Sequence, residues 1–150
     1  MNVEDLLAVL SRWIHVGAAI ALVGGTVFQR FVLAPSLAAI PETDRGPLRE
    51  AVLARWRIFV HSGVALLLLS GAYNAMKGFV SHKGQGLYHG LLGTKIFVAL
   101  AIFGVAVVLT GKSERAKTMR GRSGFWLSVL VVLATAVVCL SGVLRNLPAT

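Results

Sequence analysis

His15, His61 and Lys95 are ionisable and lie deep in apolar stretches of this sequence, and His89 lies near the boundary of one. A charge inside hydrocarbon is expensive, so such a group marks ligation, proton transfer or specific pairing. Histidine brings a neutral nitrogen ligand, and lysine a cation. No acid accompanies them: Glu4, Asp5, Glu42, Asp44, Glu50 and Glu114 all fall outside the apolar runs. Paired-carboxylate catalysis and a carboxylate proton relay across a membrane therefore have no residues to run on. The single cysteine, Cys139, lies in an apolar run, so the chain has no internal disulfide and no thiolate metal cluster. It reads as a small packing residue.

The elements that must position these groups are membrane helices. Of 150 residues, 56% are hydrophobic and only 14% charged, with a mean hydropathy of +0.76. A chain this short has too little interior to hide that much apolar surface from water. About 20 apolar residues span a bilayer, and four runs reach that length, at about 6–33, 58–76, 87–110 and 125–144. The expected fold is an all-α, antiparallel bundle of four transmembrane helices in one domain. Residues 34–57, with Pro35, Pro41 and Pro47, residues 77–86 and the basic residues 111–124 are expected as the connections. Glu4 and Asp5 stand where a cleavable signal needs positive charge, so the first run is expected to stay in the protein.

Depth follows from the helical rise of about 1.5 Å per residue. With Ile20 at the middle of the first span, His15 lies roughly 7 Å to one side. Lys95 lies roughly 5 Å to the same side of Val98 in the third span. His61 lies roughly 9 Å to the opposite side of Leu67 in the second. His15 and Lys95 can thus share one ligand or cofactor, whereas His15 and His61 cannot. The plainer roles are an interhelical hydrogen bond for His15 and snorkelling for Lys95. His61, one turn beyond Arg57, reads as structural or interfacial, and His82 and His89 flank a glycine-containing connection. Ser11, His15, Leu22, Thr26 and Gln29 form a stripe on the first helix, and Gly63, Leu67, Ser70 and Asn74 form one on the second. The fourth carries Ser128, Thr135, Cys139 and Gly142, and small and weakly polar residues of this kind read as helix–helix packing.

Basic residues give an orientation. Arg45, Arg49, Arg55, Arg57, Lys112, Arg115, Lys117, Arg120 and Arg122 lie on one side, against Arg12, Lys77, Lys83 and Arg145 on the other. The positive-inside rule places the first set in the cytoplasm and both termini outside. That arrangement suits a bacterial inner membrane. The net charge of +9 then reads as a topology signal and a contact for anionic lipids. The basic residues flank spans, with Trp56 the one aromatic set among them, which does not point to nucleic acid.

Trp13-Ile14-His15 followed by Gly24-Gly25, Phe28, Arg30 and Val32 resembles the first helix of the copper-resistance protein D family and of the related HemJ-type membrane proteins. Arg57-Ile58-Phe59 with Leu69-Ser70-Gly71-Ala72-Tyr73-Asn74 resembles their second helix. Tyr88-His89-Gly90-Leu91-Leu92-Gly93-Thr94-Lys95-Ile96 is similar to their lysine-bearing helix. The HemJ-type resemblance implies heme b and a protoporphyrinogen oxidase, with His15 and Lys95 at the functional positions. The histidine that family carries two positions before its lysine is Gly93 here, which separates heme binding from that specific oxidase reaction. The leading expectation is heme b with iron on His15, Lys95 as second ligand or propionate partner, and electron transfer as a membrane oxidoreductase. The copper-resistance resemblance implies copper handling, with His15 as inner site, Met76 and His89 at a mouth and His61 as a further metal candidate. A structural role, as a homo-oligomer or as a subunit of a membrane complex, is the third expectation, with Gly17, Ala21 and Gly25 as a contact face.

Overall fold

In lipid an apolar run satisfies its backbone groups by coiling into a helix, and all four long runs do so in the computed structural model, which describes residues 2–148. In chain order these are α1 (Val3–Phe28), a π-helical turn (Gln29–Leu33), α2 (Ala34–Ala38), α3 (Glu42–Ser81), α4 (Gly86–Thr110), α5 (Glu114–Gly121) and α6 (Ser123–Arg145). The described residues include no strand. Four continuous helical stretches, Val3–Ala38, Glu42–Ser81, Gly86–Thr110 and Ser123–Arg145, are long and apolar enough to cross a membrane. The protein is an all-α bundle of the multi-pass membrane type.

The connections are shorter than expected. Residues 34–57 are helical apart from 39–41, because α2 prolongs the first span and α3 begins at Glu42. Pro35 lies directly after the π turn, inside the continuous helix Val3–Ala38, where it donates no hydrogen bond to the preceding turn. Pro47 lies inside α3 among exposed residues, where water can take the freed Thr43 carbonyl. At 40 residues, α3 is about 60 Å long, twice the thickness of a hydrocarbon core. Its first turns therefore stand outside the membrane. Residues 111–124 also coil, with Ser113 Oγ capping α5 by accepting the Ala116 N–H at 3.2 Å. Between α3 and α4 only a tight turn remains, and Gly84 holds it at φ +82°, where a side chain would be strained.

Helix α1 packs on α3, α3 on α4, α4 on α6, and α6 back on α1. The first and third spans are thus diagonal across the bundle. The buried stripe of α3 (Val60, Gly63, Val64, Leu67 and Ser70) recurs at helical spacing. Buried apolar clusters sit at the two ends of the α4–α6 pair, Tyr88, Leu92 and Leu144 at one and Leu109, Leu127 and Leu130 at the other. The small-residue stripe expected to pack α6 is only partly inside. Ser128 meets Arg30, but Thr135, Cys139 and Gly142 are exposed. Leu127, Leu130, Ala134 and Leu144 bury instead, an apolar set without a hydroxyl.

The basic end is tied together by arginines acting as caps for helix C-termini. Arg45 donates to the Ile40 and Ala38 carbonyls (2.7 and 2.8 Å). Arg57 donates to the Thr110 carbonyl at 2.6 Å, and Arg120 to those of Leu109 and Gly111 at 3.2 and 2.7 Å. Arg49 reaches the Arg120 carbonyl and Ser123 Oγ at 3.0 and 3.1 Å. The last carbonyls of a helix lack intrahelical partners and carry the negative end of its dipole, so cations are favoured there. Much of the positive charge that marks topology is also structural.

Candidate functional site

The stripes of α1 and α3 face each other, and their polar members meet. Leu22 packs where a side chain on Gly63 would stand. One to two turns along α1, His15 Nδ1 lies 2.9 Å from Ser70 Oγ. Ser11 Oγ lies 3.3 Å from the Ser70 carbonyl and 3.4 Å from Asn74 Oδ1. At the end carrying the termini, Glu4 and Lys77 close the seam with a 3.3 Å ion pair.

The proton on Ser70 settles the chemistry of His15. A serine hydroxyl has a single hydrogen, and Ser70 donates it to the Leu66 carbonyl of its own helix at 2.5 Å. With that hydrogen on Leu66, Ser70 accepts from His15 and the ring carries its proton on Nδ1; the Leu67 backbone carbonyl is a second hydrogen-bond partner of the same ring. Nε2 is left with its lone pair, as the hydrogen-bond network assigns it. Gly71 makes room for the ring: a Cβ there would stand 3.2 Å from His15 Cε1. In the Nδ1–H tautomer, the interhelical hydrogen bond uses one edge of the imidazole and Nε2 lies on the other.

Lys95 enters from the diagonal helix. It lies within coulombic range of His15, as the common depth of the two residues requires. Its ammonium makes no hydrogen bond or ion pair among the described residues. Both side chains are half-buried. An imidazole with a cation within coulombic range is a setting for an anion, or for a metal with an anionic edge.

The remaining candidates are apart from this pair. His61 is exposed, and its Nδ1 lies 2.7 Å from the Arg57 carbonyl of its own helix. It is fifteen residues from Met76 along α3, about 22 Å, so the two cannot share an ion. Met76 is 69% exposed. His89 stacks on Phe79 (5.2 Å, 11°), while His82 stacks on Tyr88 (3.7 Å, 1°). These rings form an aromatic closure of the α3–α4 turn. Among the described residues no three of His, Cys, Asp and Glu come together as a metal site.

Sequence periodicity placed Ser70 and Asn74 on the correct stripe but assigned them to packing. Their tie to His15 depends on the rotation of α3 against α1, which periodicity does not carry. Arg30, whose Nε donates to Ser128 Oγ at 2.7 Å and joins the first span to α6, was also missed. No family model matches the chain, and no curated protein or solved structure gives a significant match.

Proposed function

We propose that the protein binds heme b between its helices, with His15 Nε2 as the iron ligand and Lys95 as the partner of a propionate or a second ligand. The observation that carries this reading is the Ser70 relay. A Ser70 hydroxyl that donates to Leu66 favours the Nδ1–H tautomer, the one in which Nε2 can take a ligand. Histidines that hold metals almost always give their other ring N–H to such an acceptor, which orients the ring and raises its basicity. The donor set fits the group: one neutral imidazole, one unpaired ammonium and a glycine behind the ring.

Bound there, heme b would supply one-electron redox chemistry. The chain's own part is to orient the imidazole, to compensate a carboxylate in a medium of low dielectric and to keep water from the site. The function proposed is electron transfer in a membrane oxidoreductase of the copper-resistance D and HemJ-like type. It would lie in a bacterial inner membrane with the basic end in the cytoplasm and anionic lipids beside it.

The test is the visible spectrum of purified protein with and without dithionite, before and after incubation with hemin. A Soret band that sharpens on reduction and is lost in His15→Ala is expected. A folded preparation that carries no Soret band and takes up no hemin overturns the proposal. Copper handling has weaker support, because His61, Met76 and His89 do not converge.

A further inference from the structure

On the lipid-facing side of the α1–α3 pair lie two open grooves of about 290 Å³ and 240 Å³ that share Phe59 as a wall. The first begins at the basic end with Leu33 and Val52, about one turn beyond Gln29 and Arg55, which also line it. The second runs inward past Ser62 and Leu66 on one side and Ala18 and Ala21 on the other. We propose that together they form a seat for one anionic phospholipid, its phosphate on Arg55 and Gln29 and one acyl chain along the groove.

Three observations converge on that occupant. The first is charge. Arg45, Arg49, Arg57 and Arg120 donate to helix carbonyls and Lys117 pairs with Glu114 at 2.6 Å, but the Arg55 side chain makes no hydrogen bond or ion pair among the described residues. The second is level. Arg57 binds the carbonyl of Thr110, the last residue of the apolar helix α4. Arg55 lies about 3 Å farther out along α3, at headgroup height. The third is length. Arg55 to Leu66 and Gln29 to Ala18 are each eleven residues, about 16 Å of helix. One leaflet's share of a hydrocarbon core is about 15 Å.

Local structure explains how the seat forms. The π turn starts at Gln29 and resets the register of the first span where the groove begins. Gly25 admits the Trp56 ring edge against α1, and Trp56 stacks on Phe59 (6.0 Å, 9°) to form one wall. The small side chains of Ala18 and Ala21 leave room in the inner part for a hydrocarbon chain.

The experiment is native mass spectrometry of delipidated full-length protein in detergent, titrated separately with phosphatidylglycerol and phosphatidylcholine. One phosphatidylglycerol should bind with a preference over phosphatidylcholine of about fivefold, the contribution of a single interfacial arginine. Arg55→Gln should abolish the preference, whereas Arg122→Gln, on the same end but away from the groove, should leave it intact. Ala21→Phe should lower binding of both lipids by filling the chain seat. Equal affinity for the two lipids, or an equal effect of Arg122→Gln and Arg55→Gln, overturns the proposal. So does unchanged binding in Ala21→Phe. A lipid-free dimer that Ala21→Phe dissociates would overturn it in favour of a second copy of the chain.

Discussion

Ser70→Ala separates the two roles that His15 can have. Interhelical hydrogen bonds in membranes contribute about 0.6 kcal/mol on average. If Ser70 only packs, its loss costs about that much stability and leaves hemin affinity alone. If Ser70 positions a ligand, affinity falls by about 10- to 100-fold, and Ser70→Thr, which keeps the hydroxyl, restores it. Hemin titration followed at the Soret band, with a thermal melt of the apoprotein beside it, gives both numbers. Lys95 makes its own prediction. Lys95→Met, which keeps volume and removes charge, is expected to weaken hemin binding more than Lys95→Arg does. Equal binding by all three forms would leave Lys95 a snorkelling residue.

Helices meet here through a few close approaches, and these set the cost of changes between elements. A Cβ on Gly25 would overlap the Trp56 ring, so Gly25→Ala must displace the indole. Overpacking of this kind costs about 1–3 kcal/mol. Trp56→Leu in the same chain should recover part of the loss, a coupling that a double-mutant cycle of melting temperatures detects. At the basic end, Arg57→Ala strips the Thr110 carbonyl of its donor while Thr110 stays 3% exposed. An unsatisfied buried carbonyl costs about 1–3 kcal/mol, against about 0.5 kcal/mol for an ordinary surface change. Arg115→Ala, which breaks no hydrogen bond or ion pair among the described residues, is the control. Equal melts for the two variants would refute the capping role.

At the scale of the whole molecule, the bundle has one basic end and one end carrying the termini, and the charge asymmetry predicts which faces the cytoplasm. In a Cys139→Ser background, Ser81→Cys should react with a membrane-impermeant maleimide on intact cells, and Thr118→Cys only after permeabilisation. The reverse pattern would invert the orientation. Hydropathy was enough for the four spans, because burying apolar surface in lipid needs no knowledge of neighbours. The helical rise predicts a common level for His15 and Lys95, because depth along a helix is additive in residue number. It did not reveal that Pro35 and Pro47 are accommodated inside helices, since that depends on what surrounds the carbonyl that each proline leaves without a donor. Nor did it reveal that Ser70 orients His15, or that Arg55 is left over when neighbouring arginines are taken by carbonyls. Those facts reside in the rotation of one helix against the next. Rotation is set by the sum of many small contacts across two surfaces, and no single helix contains that information.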